Sequence, residues 1–456
     1  MCINKKNKIN ILFDASLLTY FFERNNYWRS GIFFTAYNVL RELEKQQIFN
    51  ITLIVRHDRY NFVHKMKTDP FFSKFTYLKI YDECQLIHRE KLIKSYINNI
   101  KATSNIFLFF LYSLKILKHC LYVICYIIND NLHTRTTNKI FKKTKVFFTP
   151  DAFIYYRIKN YTHILKYIIL YDIMPLLYPE YYPNDFFTND HITEYANRRC
   201  INKEHYYFCD SECTKRDYLK FFGNILDEDK MKVMYIASSQ NFYPDYNKTK
   251  LAVVLDKYKV KYKNNNKYIF SLCTLEPRKN LVFTVSCFVK FIIKHHISNL
   301  YFYLGGAQWD KFIHLLEEQI DSLDEYREKI VRLGYIDDID VNILYSNSLF
   351  FTYISQYEGF GMPPLEAMQA GTPVITSNNS SLPEVVGDAA IMIDYDSEEQ
   401  CIKAFEDLYF NGDLRKYYIE KGLERAKLFS WKKTVDKMTE VILETVKRKD
   451  SNENKD

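Results

Sequence analysis

Apolar positions follow two rhythms along this chain, and the rhythms take turns. Short dense runs have the length and the β-branched or aromatic content of buried strands: "INILFDASLL" (9–18), "FNITLIV" (49–55), "KVFFTP" (145–150), "YIILYD" (167–172), "HYYFCDS" (205–211) and "KMKVMYI" (230–236). Between them, "GIFFTAYNVLRELEK" (31–45) repeats its apolar positions at helical spacing, and "SECTKRDYLKFFG" (211–223) reads as a helix closed by Gly223. The chain turns polar from Tyr243 to Lys267, where "KNNNK" (263–267) has the composition of a linker. A second set of strands then opens with "YIFSLCT" and continues through "LYFYLGG", "IVRLGYI", "SLFFTYIS", "PVITS" and "AAIMID", with helical stretches between them. Alternation of this kind predicts an α/β protein with two doubly wound parallel sheets. We expect one domain over residues 1–245, a second over 246–430 and a closing helix over 431–456.

One segment breaks the rhythm. "NIFLFFLYSLKILKHCLYVICYIIN" (105–129) is the most hydrophobic stretch of the chain. Lys115, Lys118 and His119 divide it into two runs, each shorter than the roughly 20 apolar residues that cross a bilayer. It reads either as a buried or subunit-interface helix or as a helix lying in a membrane surface. A spanning helix fits least well.

Composition narrows the class. A chain of 456 residues exceeds one ordinary core and suits two domains of about 200 residues each. With 47% apolar and 26% charged residues it is not a disordered chain. The 39 Tyr and 35 Phe accompany many Lys, Asn and Ile, as AT-rich coding would produce, so no single aromatic is assigned a role on abundance. The net charge of +8 permits an anionic substrate or lipid surface, while no basic block or RNA-binding signature points to nucleic acid. Ten cysteines without a CxxC pair suit buried thiols in a reducing compartment rather than a metal site. The N-terminus is basic and then apolar, but Asp14 interrupts the run and no small-residue cleavage site follows. It reads as a first strand and not a signal peptide, so a cytoplasmic location is expected.

The chemistry concentrates in "YEGFGMPPLEAMQAGTPVITS" (357–377). A buried strand runs into a loop carrying Gly359 and Gly361. Pro363 and Pro364 suit the first turn of a helix, Gly371 ends it, and "PVITS" returns as a strand. Such a loop lies at the carboxyl end of a parallel strand, where open α/β sheets bind ligands. The glycines let the backbone approach a ligand closely, and the helix N-terminus attracts anions. Glu358 is expected on the loop and Glu366 in the first helical turn, both as acceptors for hydroxyls. A ligand with phosphates and many hydroxyls, such as a nucleotide-sugar, suits both features. The plainer reading of Glu366 is a carboxylate complementing the helix dipole.

A second loop, "SLCTLEPRKNL" (271–281), brings Arg278 and Lys279 to the start of another helix, with Asn280 expected as its cap. Two cations at a helix N-terminus can grip a pyrophosphate. In "SNNSSLPEVVG", Ser381 and Glu384 have capping-box spacing, and the loop 377–380 can line the same site. "DDID" (337–340) contains a D-x-D pattern, which we read as a helix cap rather than a metal site.

Together these motifs resemble the group 1 (family 4) retaining glycosyltransferases. The likeness is dense from Tyr268 to Trp431, through "TLEPRKNL", "LGYIDD", "YEGFGMPPLEAMQAGTPVITSNNSSLPEVVGDAA" and "RAKLFSW". It is thin earlier, through "SGIFFTAYNVLREL", "YDIMPLLYPE" and "SECTKRDYL". The resemblance implies a GT-B architecture: two Rossmann-like domains facing across a cleft, the acceptor in the first, the donor in the second, and the last helices crossing back. It implies that Glu358 contacts the donor sugar, Glu366 the ribose, and Arg278 and Lys279 the diphosphate. Gly359, Phe360, Gly361 and Thr274 would line the donor, Gly31 would face its phosphates, and Asp172 would join Glu358 as a catalytic residue. Transfer would retain anomeric configuration, with no metal and no cofactor beyond a UDP- or GDP-linked co-substrate. Two positions depart from the pattern: Cys273-Thr274 stands where many relatives have Gly-Arg or Gly-Thr, and Tyr171-Asp172 where they often have His-Asp.

The function so implied is transfer of a hexose, mannose as first guess, to a growing and lipid-linked surface polysaccharide of the O-antigen or capsule type. The partners would be the nucleotide-sugar, a saccharide or lipid-linked saccharide acceptor and a membrane surface, with the protein peripheral on the inner face of the plasma membrane. The alternatives are a GT-B nucleotide-sugar epimerase and a non-catalytic glycosyltransferase-like partner subunit.

Overall fold

In the computed structural model of the chain, residues 8–23, 31–80, 84–102, 106–150, 154–181, 201–261, 266–306 and 312–453 are described. Most of the linker-like run at 263–267 and the first residue of the hydrophobic segment, Asn105, lie outside them.

Two parallel sheets carry the fold. The first contains β1 (Ile9–Asp14), β2 (Phe49–Arg56), β3 (Thr76–Ile80), β4 (Val146–Thr149), β5 (Leu165–Leu170), β6 (Tyr206–Cys209) and β7 (Met231–Val233), in the order β3-β2-β1-β4-β5-β6-β7. The second contains β8 (Lys267–Leu272), β9 (Leu300–Gly305), β10 (Ile330–Gly334), β11 (Phe351–Tyr353), β12 (Val374–Ser377) and β13 (Ile391–Ile393), in the order β10-β9-β8-β11-β12-β13. Strands such as β4 and β12 are buried at every position, because helices cover both faces of a parallel sheet. That is why they read in the sequence as unbroken apolar runs rather than alternating ones. Strand order reverses direction between β1 and β4 in one sheet and between β8 and β11 in the other, and ligands bind at such switch points.

The hydrophobic segment is helical. It belongs to one continuous helix, Ile106–Lys143, which packs against Cys84–Ala102 as a helical hairpin. Lysine does not break a helix, and Lys115 is accommodated over the rings of Tyr96 and Tyr112. His119 stacks on Tyr96 as well, so Tyr112, Lys115 and His119 form the inward face. Phe110, Leu114, Leu117 and Leu121 lie on the opposite side and are exposed. Among the described residues no helix is long and apolar enough to cross a membrane.

The chain passes between the two sheets twice. The backbone N–H groups of Tyr243 and Asp245 already donate to Asn342 and Ser346 of the second lobe. The terminal helix Trp431–Glu453 returns to the first: Thr439 donates to Gln46 at 2.6 Å, Gln46 donates to Asp436 at 3.0 Å, and Thr434 donates to the Tyr235 carbonyl.

Candidate active site

β8 and β11 are neighbours at the switch point of the second sheet, so their carboxyl-terminal loops are thrown out side by side. The loops are tied to each other. The Arg278 carbonyl accepts from the Gln356 N–H at 2.7 Å and from the Ser355 hydroxyl at 3.1 Å.

Within this joint, Glu358 Oε1 accepts from Lys279 Nζ at 2.6 Å and from Arg278 Nη1 at 3.1 Å. Arg278 also pairs with Glu276 at 2.7 Å and donates to the Tyr357 carbonyl at 3.0 Å. Lys279 donates to the Tyr353 hydroxyl at 2.6 Å. Glu358 and Lys279 are both buried. Burial alone would push the Glu358 carboxyl up, but Lys279 and Arg278 outweigh it and hold the group at about 2. Burial lowers the Lys279 ammonium against the pull of Glu358. Two cations and two carboxylates therefore form a closed, neutral network. An incoming diphosphate would compete with Glu276 and Glu358 for donors already aimed at oxygen anions.

The glycine loop makes the contact between the lobes. A Cβ on Gly359 would lie 2.9 Å from Asp172 Cβ and 3.0 Å from its Oδ2, so only glycine lets the Asp172 carboxylate come this close. The Ser211 hydroxyl donates to the Gly359 carbonyl at 2.6 Å while also capping the helix Glu212–Phe222 by accepting from the Thr214 N–H. Burial pushes the Asp172 carboxyl up, opposed by the charge of Arg278. Gly361 has a φ of 105° and precedes the helix Met362–Gln369; a Cβ there would meet Leu382 at 2.7 Å.

Several expectations change in detail. Glu366 lies in the second turn of Met362–Gln369, not the first, because the helix already begins at Met362. It accepts from the Tyr345 hydroxyl at 3.1 Å, and burial pushes its carboxyl up to about 7. Asn280 adopts left-handed backbone (φ 59°) and its side chain caps nothing; it donates instead to the Tyr395 carbonyl. Ser381 and Glu384 form no capping box. The Ser381 hydroxyl donates to the carbonyls of Glu358 and Phe360, and the Glu384 carboxylate accepts from the Glu212 and Cys213 N–H groups across the lobes. Asp337 makes no side-chain cap either; it and Asp340 both engage Lys257 at 2.6 Å.

Thr274 sits beside this network, its hydroxyl donating to Glu276 at 3.2 Å. The Phe360 ring is buried against Tyr235 and Phe429, so only its backbone faces the loop. Gly31 opens the helix Gly31–Lys45 at an exposed position, and no hydrogen bond among the described residues joins it to the cluster.

Sequence reasoning passed over Glu276, Tyr353, Ser211 and Asp210. Asp210 is buried at the end of β6, beside the strand that leads to Asp172, and its Oδ1 has no hydrogen-bond partner among the described residues. Its only signal in the chain was the polar pair Asp210-Ser211 closing an aromatic strand.

Comparison with known proteins agrees with this geometry. Residues 255–425 match the family model described as glycosyl transferases group 1. O-antigen chain mannosyltransferase B of Escherichia coli is 28% identical over 264 residues, covering 57% of this chain and 65% of that protein. Serotype-specific mannosyltransferase WbdA of Escherichia coli is 27% identical over 278 residues, covering 58% of this chain but 32% of that protein. The chain thus spans less than two thirds of the length of these relatives. In three dimensions, a glycosyltransferase from Rickettsia africae matches 96% of this chain and 98% of its own with a TM-score of 0.61 at 18% identity. Anabaena Alr3699/HepE, solved in complex with UDP and glucose, matches 96% of this chain and 100% of its own at 0.62 and 11% identity. The fold is GT-B, with two parallel α/β sheets in two lobes.

Proposed function

We propose, for a chain whose residues 255–425 match the family described as glycosyl transferases group 1, that it transfers a hexose from a nucleoside-diphosphate sugar to a saccharide of a growing surface polysaccharide. Mannose is the first candidate sugar, because the relatives named above are mannosyltransferases. The observation that carries the reading is the joint at β8 and β11, where Arg278 and Lys279 both lie within 3.1 Å of Glu358. Asp172 of the opposite lobe stands against Gly359 in the same place.

In this reading Arg278 and Lys279 take the diphosphate and stabilise the charge that develops on it as the glycosidic bond breaks. Glu358 stores both cations in register until the donor arrives and then contacts the sugar. Glu366 receives the ribose hydroxyls, and the backbone of Gly359–Gly361 lets the donor approach. Asp172 is placed to accept the hydrogen bond of the attacking acceptor hydroxyl. Transfer proceeds with retention, and the fixed cations do the work that a metal would otherwise do.

The acceptor is proposed to be presented at a membrane surface. What supports this is the outward face of the helix Ile106–Lys143, where Leu114, Leu117 and Leu121 are 64%, 55% and 53% exposed. From Lys91 to Asn129 the sequence holds five lysines and no acidic residue, a balance that suits anionic lipid headgroups. Flotation with vesicles containing phosphatidylglycerol tests it: Leu114→Ser with Leu117→Ser should abolish co-flotation, and unchanged flotation would rule the surface out.

The central test is nucleotide release from a panel of UDP- and GDP-sugars. One donor turned over, and lost in Glu366→Ala, is the expected result. Neither turnover nor donor binding by the folded chain would favour a non-catalytic partner subunit.

A further inference from the structure

A cavity of about 620 Å³ lies far from the joint of the lobes. It opens at the amino-terminal ends of β5 and β6, where Leu165, Lys166 and Tyr206 stand, and is closed over by the terminal helix Trp431–Glu453. Asp172 and Asp210 follow the other ends of these strands, about 20 Å away by the rise of a six-residue strand. The volume is that of a small-molecule site.

Five cations line this cavity: Lys159, Lys166, Lys230, Arg448 and Lys449. Lys166 is buried, with 7% of its surface exposed. Its ammonium donates to the Tyr161 carbonyl at 2.8 Å, Lys449 to the Thr162 carbonyl at 2.8 Å, and Lys230 to the Lys203 carbonyl at 2.7 Å. Each of these ammoniums therefore spends one N–H on a neutral acceptor and keeps others for a ligand. Two carboxylates, Glu204 and Glu453, share the wall, yet neither forms an ion pair with any of the five among the described residues. Among the described residues only Lys230 of the five has a carboxylate partner, Asp227 at 3.5 Å. Gathering like charges without neutralising them opposes folding. Burial and the nearby charge of Lys449 hold the Lys166 ammonium down to about 8. A buried cation is ordinarily paired, and Lys166 has no partner of opposite charge among the described residues.

We propose that this cavity is a second binding site, distinct from the candidate active site, which takes a phosphate-bearing anion between β5 and the terminal helix. The anion would supply the missing counter-charge and pin the returning helix to the first lobe. The same chemistry is offered by a free phosphate ester and by a phospholipid headgroup.

Inorganic phosphate is the probe. Calorimetric titration of the full chain at fixed ionic strength should show saturable binding. Lys166→Met keeps the packing of the side-chain stem and removes the charge, and should weaken that binding at least about tenfold, the scale of one charge-assisted hydrogen bond. Arg278→Gln should leave it in place. Should Lys166→Met fail to fold, Arg448→Gln with Lys449→Gln on the terminal helix gives the same readout. Unchanged affinity in these variants, or loss only in Arg278→Gln, overturns the site. Two further arms separate the sources. Saturable binding of glycerol 3-phosphate, lost in the same variants, assigns a free ester. Flotation with phosphatidylglycerol vesicles, retained by Arg278→Gln but lost in Lys166→Met and in Arg448→Gln with Lys449→Gln, assigns a headgroup.

Discussion

Lys279 and Glu358 form a buried pair, Nζ to Oε1 at 2.6 Å, and Arg278 reaches the same oxygen from 3.1 Å. One carboxylate oxygen thus holds both cations of the proposed diphosphate grip. Removing one partner of a buried pair leaves an uncompensated charge, so Lys279→Met should cost about 3 kcal/mol of stability as well as donor binding. Adding Glu358→Gln should recover part of the stability but not the binding. Urea unfolding of the three proteins decides it, and an unchanged midpoint in Lys279→Met would mean that the pair is not buried in solution.

The two glutamates predict opposite pH behaviour. Glu366 is held at about 7, above its ordinary 4.5, so between these values the folded chain binds a proton that the unfolded chain has lost. Its contribution is present below 4.5 and is lost as pH rises through 7. Glu358 is held at about 2, below 4.5, so its contribution is present above 4.5 and is lost as pH falls towards 2. Glu366→Gln should remove a slope on the order of 1 kcal/mol per pH unit between about pH 5 and 7. Denaturant midpoints at about pH 5 and pH 8 read this out; an unaltered difference in the variant would refute the burial argument.

Gly359→Ala should separate the lobes without unfolding either one. A methyl at 2.9 Å from Asp172 forces a shift of the loop or of the carboxylate. Turnover is expected to fall at least about tenfold, since small displacements of positioned groups are costly, while the unfolding midpoint moves little. Retained turnover would remove Asp172 from the reaction.

Chelation gives the fourth check. If Arg278 and Lys279 carry the leaving-group charge, donor turnover should be the same with and without EDTA. Lys279→Ala and Glu366→Ala should each lose at least about a hundredfold, near 3 kcal/mol. Loss of activity with EDTA, restored by a divalent cation, would replace this account of the leaving group.

Much of the fold was legible because the inner strands of each sheet are buried between covering helices. β4 and β12 could be found from their unbroken apolar runs. The glycine loop was legible because Gly359 and Gly361 answer to local demands, close approach and positive φ, that a sequence can display. What the chain did not display were partners distant in sequence. Glu384 has capping-box spacing to Ser381, but its carboxylate serves the N–H groups of Glu212 and Cys213 in the other lobe. Asn280 has the composition of a cap but takes a left-handed turn, which frees its side chain for Tyr395. The hydrophobic segment was legible as a helix, but its continuity from Ile106 to Lys143 was not, because Lys115, which looks like an interruption, lies over the ring of Tyr96 on the partner helix.

The two passages of the chain between the lobes run side by side. Tyr235 on the outward passage meets Phe429 on the return at 5.9 Å, and the Thr434 hydroxyl fastens them. The two cords are thus fastened to each other where they join the lobes. The ring of Phe360 rests on both cords, 6.3 Å from Tyr235 and 5.8 Å from Phe429. The loop that holds Glu358 is thereby braced against both passages that join the lobes.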